Sequence, residues 1–443
     1  MYQHIRYIFP VGILLLVGVL LAGDIDSRYA TIASEASDDC PAITSVDTSD
    51  TSDTSNGDGS RMERLQRGVN LSSWFRFPPE ETEAHFRDYI TGTDLCLIRG
   101  MGFHAVRLPI QPSYILQPDN PGVPDPVMLG YIDAAIRRIL AYDLAVVVEI
   151  HPSDQRIAET ATFASDLIIF WDAFARHLSQ YDPDMVFLEA MNEPVFLDDP
   201  ARWENMQRLL LTAMRQGAPE HTLVATGPYW SSIDGLTEIT PVEDDNVIYT
   251  FHFYEPAAFT HQGATWSDPV YEPLRMLPYP SSPEACSGSL AEISDEEARL
   301  FAETYCQERW DAAKIDERIA TAAAWAEQHE VVLFAGEFGV FSYFAPPEDR
   351  LRWLQDAHQS MERHDIGWFL WGYDDPFGLY RQIDEDGSRT FDIGVAEALG
   401  LHMPLDWPEE SGQKRIFLPL TYGARLPFAA ASVRRLSIVN RYR

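Results

Sequence analysis

Along residues 62–400 the chain repeats one alternation: a short apolar run rich in β-branched or aromatic residues, then a stretch whose apolar positions recur every three or four residues. The short runs read as strands buried on both faces, and the periodic stretches as amphipathic helices. Strand centres fall at Gly68, Val106, Val148, Leu188, Val224, Ile248, Phe334 and Phe369, at intervals of 38, 42, 40, 36, 24, 86 and 35 residues. All but one of these fit a strand, a helix and their loops. The long interval predicts an insertion after the sixth strand, over about Ala257–Trp310. "MLGYIDAAIRRILAYD" (128–143) and "IDERIATAAAWAEQHE" (315–330) carry the helical spacing most plainly. Eight such units predict an α/β fold, a (β/α)8 TIM barrel with a long loop insertion after strand 6, in preference to an open doubly wound sheet. No GxGxxG or Walker loop argues for the latter.

A barrel of this kind places its chemistry at the carboxyl ends of the strands. Those ends are polar here: Asn70 in "RGVNL", Arg107 in "HAVRLPI", His151 in "VVVEIHPS", Asn192 and Glu193 in "FLEAMNEP", His252 and Tyr254 in "YTFHFYEP", Glu337 in "LFAGEFGVF" and Trp371 in "WFLWGYDD". Any one of them alone is more often a satisfied core residue than a catalyst. A polar residue at seven of eight strand ends is a site. Strand parity puts Glu189, Met191 and Glu193 on one side of the sheet, facing the barrel interior, with Glu189 a layer deeper. Glu189, and Glu149 two residues before His151, therefore read as buried supports that pair with Arg107 or the histidines.

The series Arg, His, Asn-Glu, His-x-Tyr, Glu, Trp in this order resembles family 5 of the glycoside hydrolases, the cellulase and mannanase family of (β/α)8 barrels, over roughly residues 62–400. "FHFYEPAAFTHQGATW" (251–266), with His261 and Trp266, is similar to its endoglucanase branch. Pro152 departs from that branch, which often has a second histidine there. The resemblance implies a retaining hydrolase of internal β-glycosidic bonds, most simply an endo-β-1,4-glucanase, with Glu193 as acid/base and Glu337 as nucleophile. Arg107 and Tyr254 would keep Glu337 ionised, His151 and His252 would orient the network, and Asn192 would hold the 2-hydroxyl of the reacting sugar. Asn70, Trp74, Trp230, His261, Trp266 and Trp371 are the expected sugar contacts, with Trp371 flooring the cleavage point and the insertion walling the cleft. An endo-β-mannanase, an exopolysaccharide-processing β-glycanase and a non-catalytic carbohydrate-binding barrel remain as alternatives.

Composition narrows the partners. The chain has 33 basic and 68 acidic residues, a formal charge of -35, which argues against nucleic acid and leaves a neutral polysaccharide acceptable. Its four cysteines show no zinc spacing, and no metal or cofactor is called for. A short head with Arg6 and an apolar run from about Tyr7 to Gly23 read as a signal peptide or a signal anchor (1–23), which would export the domain or tether it to a membrane. A Cys286–Cys306 disulfide is expected if the chain is exported. Residues 24–60, with a threefold "DTS" repeat, read as a disordered Ser/Thr/Asp-rich linker. Residues 61–410 are the expected catalytic domain, taken as a monomer. Residues 411–443 form a basic tail with seven Lys or Arg and no Asp or Glu.

Overall fold

The computed structural model describes residues 58–153, 161–383 and 389–402. The expected leader, nearly all of the linker and the basic tail lie outside them. The linker's expected end is slightly late: Asp58–Glu63 is already a helix, with Arg61 Nε donating to Asp184 at 2.8 Å.

Eight strands close into a parallel barrel in chain order: β1 (Arg67–Asn70), β2 (Ala105–Ile110), β3 (Ala145–Ile150), β4 (Val186–Glu189), β5 (Leu223–Thr226), β6 (Val247–Phe253), β7 (Leu333–Phe338) and β8 (Gly367–Leu370), which pairs back with β1. Each contains its predicted centre. Helices alternate with them, and their boundaries follow the caps more than the apolar pattern. The helix expected at 128–143 runs Pro126–Ala141, because Asp125 accepts from the backbone N–H groups of Val127 and Met128 and Pro126 occupies the first turn. Its buried face is Met128, Ile132, Ala135, Ile136 and Ile139. The helix expected at 315–330 is Ala312–His329, started by Asp311 and ended by Glu330 in a left-handed conformation, φ 55°.

The barrel interior is layered. Its lower part is apolar and includes Ala105, Phe187, Val224, Ile248, Phe334 and Phe369. Gly68 belongs here because a Cβ would stand 2.3 Å from the Phe369 ring. One alternation further along the strands the inward positions turn polar: Asn70, Arg107, Glu149, Glu189 and Thr250, all fully buried.

β7 breaks the alternation. Phe334 faces inward, so Glu337, three residues on, would face the surrounding helices in a regular strand. The register with β6 runs Phe251↔Ala335 and then His252↔Glu337, skipping Gly336, and the pairing with β8 slips over the same stretch. This bulge turns Glu337 into the barrel. Gly336 is required, since a Cβ there would stand 2.6 Å from Thr250 Oγ1.

The insertion after β6 holds the helices Pro283–Glu292 and Glu296–Glu308, bridged by a Cys286–Cys306 disulfide. Tyr279 docks it on the helix Pro347–Arg363, its backbone N–H donating to Asp349 at 3.0 Å and its hydroxyl to Asp356 at 2.7 Å. Cys96 is also disulfide-bonded, and no described cysteine is free.

Because the Cys286–Cys306 bridge spans a sequence separation of 20 residues, its removal should cost about 3 kcal/mol through the freed unfolded chain. Denaturant melts of a Cys286→Ser/Cys306→Ser variant measure this. An unchanged midpoint would show that Tyr279 and its neighbours hold the insertion unaided.

Candidate active site

Arg107 stands at the centre of the upper layer, fully buried, and spends all five N–H groups on side chains. Nε and Nη2 grip Glu189 at 2.8 and 2.6 Å; Nη2 also reaches Asn192 Oδ1 at 2.9 Å. Nη1 reaches Glu337 Oε1 at 2.7 Å and Asn70 Oδ1 at 3.1 Å. Burial alone would favour loss of its proton, but Glu149 and Glu189 hold the guanidinium firmly charged.

An arginine only donates, so its neighbours are oriented by it. With Oδ1 turned to Arg107, Asn192 presents Nδ2 to His151 Nε2 at 3.1 Å. His151 must then carry its proton on Nδ1, which donates to Glu149 Oε1 at 2.7 Å. Burial pushes the His151 imidazole well down and the Glu149 carboxyl well up from their usual ranges, so the imidazole is neutral.

Glu337 is fixed from two sides, by Arg107 and by the Tyr254 hydroxyl, which donates to Oε2 at 2.9 Å. Burial outweighs His252, Arg107 and this hydrogen bond, and leaves the Glu337 carboxyl above its ordinary value. Tyr254 is pushed far up, first by burial and then by Glu337 and Glu193, and stays protonated as a donor. Glu193 is the more open of the two acids, its side chain 17% exposed, with Oε1 2.9 Å from His252 Nδ1. The same Nδ1 lies 3.5 Å from Glu337 Oε2. Burial takes His252 down to about 4, so it too is neutral near pH 7. Glu193, His252 and Glu337 offer ligand atoms within 4.8 Å of one another, the one such group among the described residues that can hold a metal ion.

Two carboxyl groups this close at the strand ends, one buried and clamped, one more open, are the arrangement of a glycosidase. The family model for cellulases of glycosyl hydrolase family 5 matches residues 65–375. The chain belongs to glycosyl hydrolase family 5. Among relatives of this family, Endoglucanase C of Acetivibrio thermocellus is 28% identical over 70% of this chain and 92% of its own length. Endoglucanase 3 of Fibrobacter succinogenes is 27% identical over 77% of the chain, which spans about half (53%) of that protein. The endoglucanase Cel5A of Thermotoga maritima superposes with a TM-score of 0.62 at 23% identity, over 76% of this chain and 98% of that one. The cellulose synthase subunit Z of Clostridioides difficile does so at 0.60 and 22%, over 76% and 99%.

Not every expected contact of this family 5 hydrolase lies where the sequence put it. Trp74 is core, 1% exposed with its indole N–H on the Phe86 carbonyl at 2.9 Å, and cannot meet a sugar. Asn70 is likewise no sugar contact: Oδ1 accepts from Arg107, and Nδ2 donates to the Gly336 and Leu370 carbonyls at 3.0 and 3.2 Å. It braces the β7 bulge from below. Asn192 and Glu193, adjacent in sequence, would face opposite sides of a regular strand, yet both meet the site, as the resemblance implies. β4 ends at Glu189, and Glu193 has φ 43°, so the alternation no longer applies.

Trp371 stacks on His151 with centroids 5.4 Å apart, while Trp230 and Trp266 are 44% and 57% exposed. Trp230 sits in a left-handed run, Tyr229 to Ser231 with φ 62°, 57° and 56°, and its backbone N–H donates to the Pro194 carbonyl beside Glu193 at 3.2 Å. Trp266 lies edge-on to Phe341 at 4.6 Å, and His261 packs against Tyr254 and Phe377. Phe77 was missed. It is 51% exposed, lies edge-on to Trp371 at 6.4 Å, and is backed by the Arg76 guanidinium 3.9 Å from its centroid. Arg76 also donates to the Pro152 carbonyl at 3.2 Å, so the departure at Pro152 is occupied by a different contact.

Arg107→Met should lower stability by about 3–5 kcal/mol, since it strands buried Glu189 and Glu149 without their cation; urea titration reads this. Tyr254→Phe removes a hydrogen bond that favours the ionised form of Glu337, so that carboxyl should titrate at still higher pH. Carbon-13 NMR of labelled glutamate follows the midpoint, and a fall would show that Tyr254 does not stabilise the carboxylate.

Proposed function

We propose that this chain is a retaining endo-β-glycanase of the endo-β-1,4-glucanase type, with Glu337 as nucleophile and Glu193 as acid and then base. The observation that carries this is the spacing of the two acids, with carboxylate oxygens within 4.8 Å. Retaining glycosidases hold their carboxyl groups about 5–5.5 Å apart, whereas inverting ones need about 6.5–9.5 Å to admit a water. Glu337, immobilised by Arg107 and Tyr254, attacks the anomeric carbon. Glu193 protonates the departing oxygen and later activates water, with His252 touching its other oxygen. Asn192 has one amide hydrogen beyond that given to His151, suited to the sugar 2-hydroxyl. Trp371 offers the floor, and Trp230, Trp266 and Phe77 offer exposed faces along the chain of sugars. The endoglucanase names of the relatives support a β-1,4-glucan as substrate.

Cel5A of Thermotoga maritima has been solved with mannotriose as well as cellobiose, which supports mannan as a second substrate. The likeness to a cellulose synthase subunit, together with the apolar segment at residues 7–23, supports a membrane-proximal enzyme acting on the cell's own exopolysaccharide. We take that segment to export the domain, either cleaved or kept as a tether; the Cys286–Cys306 bond suits an oxidising compartment. Release of reducing ends across purified glucans, mannans and xyloglucan ranks the substrates.

Glu193→Gln and Glu337→Gln should each lower activity by at least ~10³-fold in folded protein, since neither acid can take over the other's role. Near-normal rates would leave a carbohydrate-binding barrel as the better reading. Azide separates the two acids: Glu193→Ala, given an activated substrate, should yield the β-azide through the glycosyl-enzyme, and Glu337→Gly the α-azide by direct displacement. Proton NMR reads the anomer, and exchanged products would exchange the roles.

A further inference from the structure

The two site histidines differ in one respect. His151 has both ring nitrogens occupied, and its proton is placed by the chain of donors that starts at Arg107. His252 has Nδ1 against Glu193 and Glu337, but its Nε2 is buried with no hydrogen-bonding partner in the protein. One inward position below on the same strand, Thr250 Oγ1 is also buried without a partner. Both atoms face the α-carbon of Gly336, the bulged residue of β7. A Cβ built there would be 2.6 Å from Thr250 Oγ1 and 3.4 Å from His252 Nε2, so no more than about 6 Å separates the two. That is the span of two hydrogen bonds. The comparison within this barrel is Gly68, against which the Phe369 ring packs, whereas the nearest atoms facing the α-carbon of Gly336 are two unsatisfied polar ones.

We propose that Gly336 keeps open a seat for one buried water, which joins Thr250 Oγ1 to His252 Nε2 and makes Thr250 a positioning residue for the acid/base. Two buried, unsatisfied polar atoms supply the smallest number of partners that an internal water takes. The Glu193 and Glu337 oxygens beside Nδ1 draw the imidazole proton to that nitrogen, and the water, donating to the bare Nε2, holds it there. Nδ1–H then donates to Oε1 of Glu193 and leaves Oε2 as the oxygen that carries the acid proton to the leaving group. With the other tautomer, Nδ1 would compete for that proton. The proposal rests on the assignment of Glu193 as acid/base, and it gives the β7 bulge a second purpose beyond re-aiming Glu337.

A high-resolution crystal structure and nitrogen-15 NMR of the substrate-free protein test it directly. The expected result is an ordered water bonded to Thr250 Oγ1 and His252 Nε2, with His252 protonated on Nδ1 alone. Thr250→Val, which keeps the shape and loses the hydroxyl, should release the water, mix the tautomers and lower kcat about 10-fold at unchanged KM, the effect of one lost buried hydrogen bond. Thr250→Ser should restore both the tautomer and the rate. A proton on Nε2 in the wild type, or a Thr250→Val variant with an unaltered His252 spectrum and kcat, would overturn the proposal. Both spectra are read without substrate, so a null result there counts against the water alone, and inactivity toward β-glycans counts against the proposed function alone.

Discussion

One cation in a place where water cannot reach governs the upper half of this barrel. Glu149 and Glu189 pair in register on β3 and β4 and are fully buried, and Glu337 is turned in beside them. Such a cluster of acids survives only around Arg107, which answers them with five N–H groups and no acceptor. Because a guanidinium cannot accept, every hydrogen bond it makes runs outward, and that direction is handed on to Asn192, then His151, then Glu149. The site's polarity is thus imposed from its centre, before any substrate arrives.

The strands were legible because apolar runs and their spacing follow from burial on both faces, and all eight centres fall inside their strands. The acids and their partners were legible as far as a residue's place at a strand end decides its surroundings. Parity, however, is a property of regular strand, and it failed wherever the backbone leaves that state. Asn192 turns inward because β4 has already ended, and Glu337 because of a bulge that no apolar pattern records.

The aromatic contacts were the least legible part. A tryptophan and a phenylalanine in "SSWFRF" differ little as letters, yet Trp74 finds a carbonyl in the core while Phe77 lies out on the rim. What separates them is the short helix Ser72–Phe75, which aims its own residues inward and releases the chain just before Phe77. The left-handed turn that presents Trp230 is similarly tertiary in origin: Gly227 and Gly235 pack so closely that a Cβ on Gly227 would stand 2.2 Å from the backbone of Gly235. Sequence alone shows the glycines but not that they meet.

The bulge at Gly336 also bears on how this barrel can change over generations. Loss of a codon from a surface loop shortens a connection. Loss of the codon for Gly336 would instead leave a regular β7 in which the glutamate directly follows Ala335: it would keep the inward parity but lose the bulge that sets its height and aim beside Arg107. Insertions and deletions can therefore accumulate after β6, as the long excursion there illustrates, while between Phe334 and Glu337 the number of residues is as much a part of the active site as their identity.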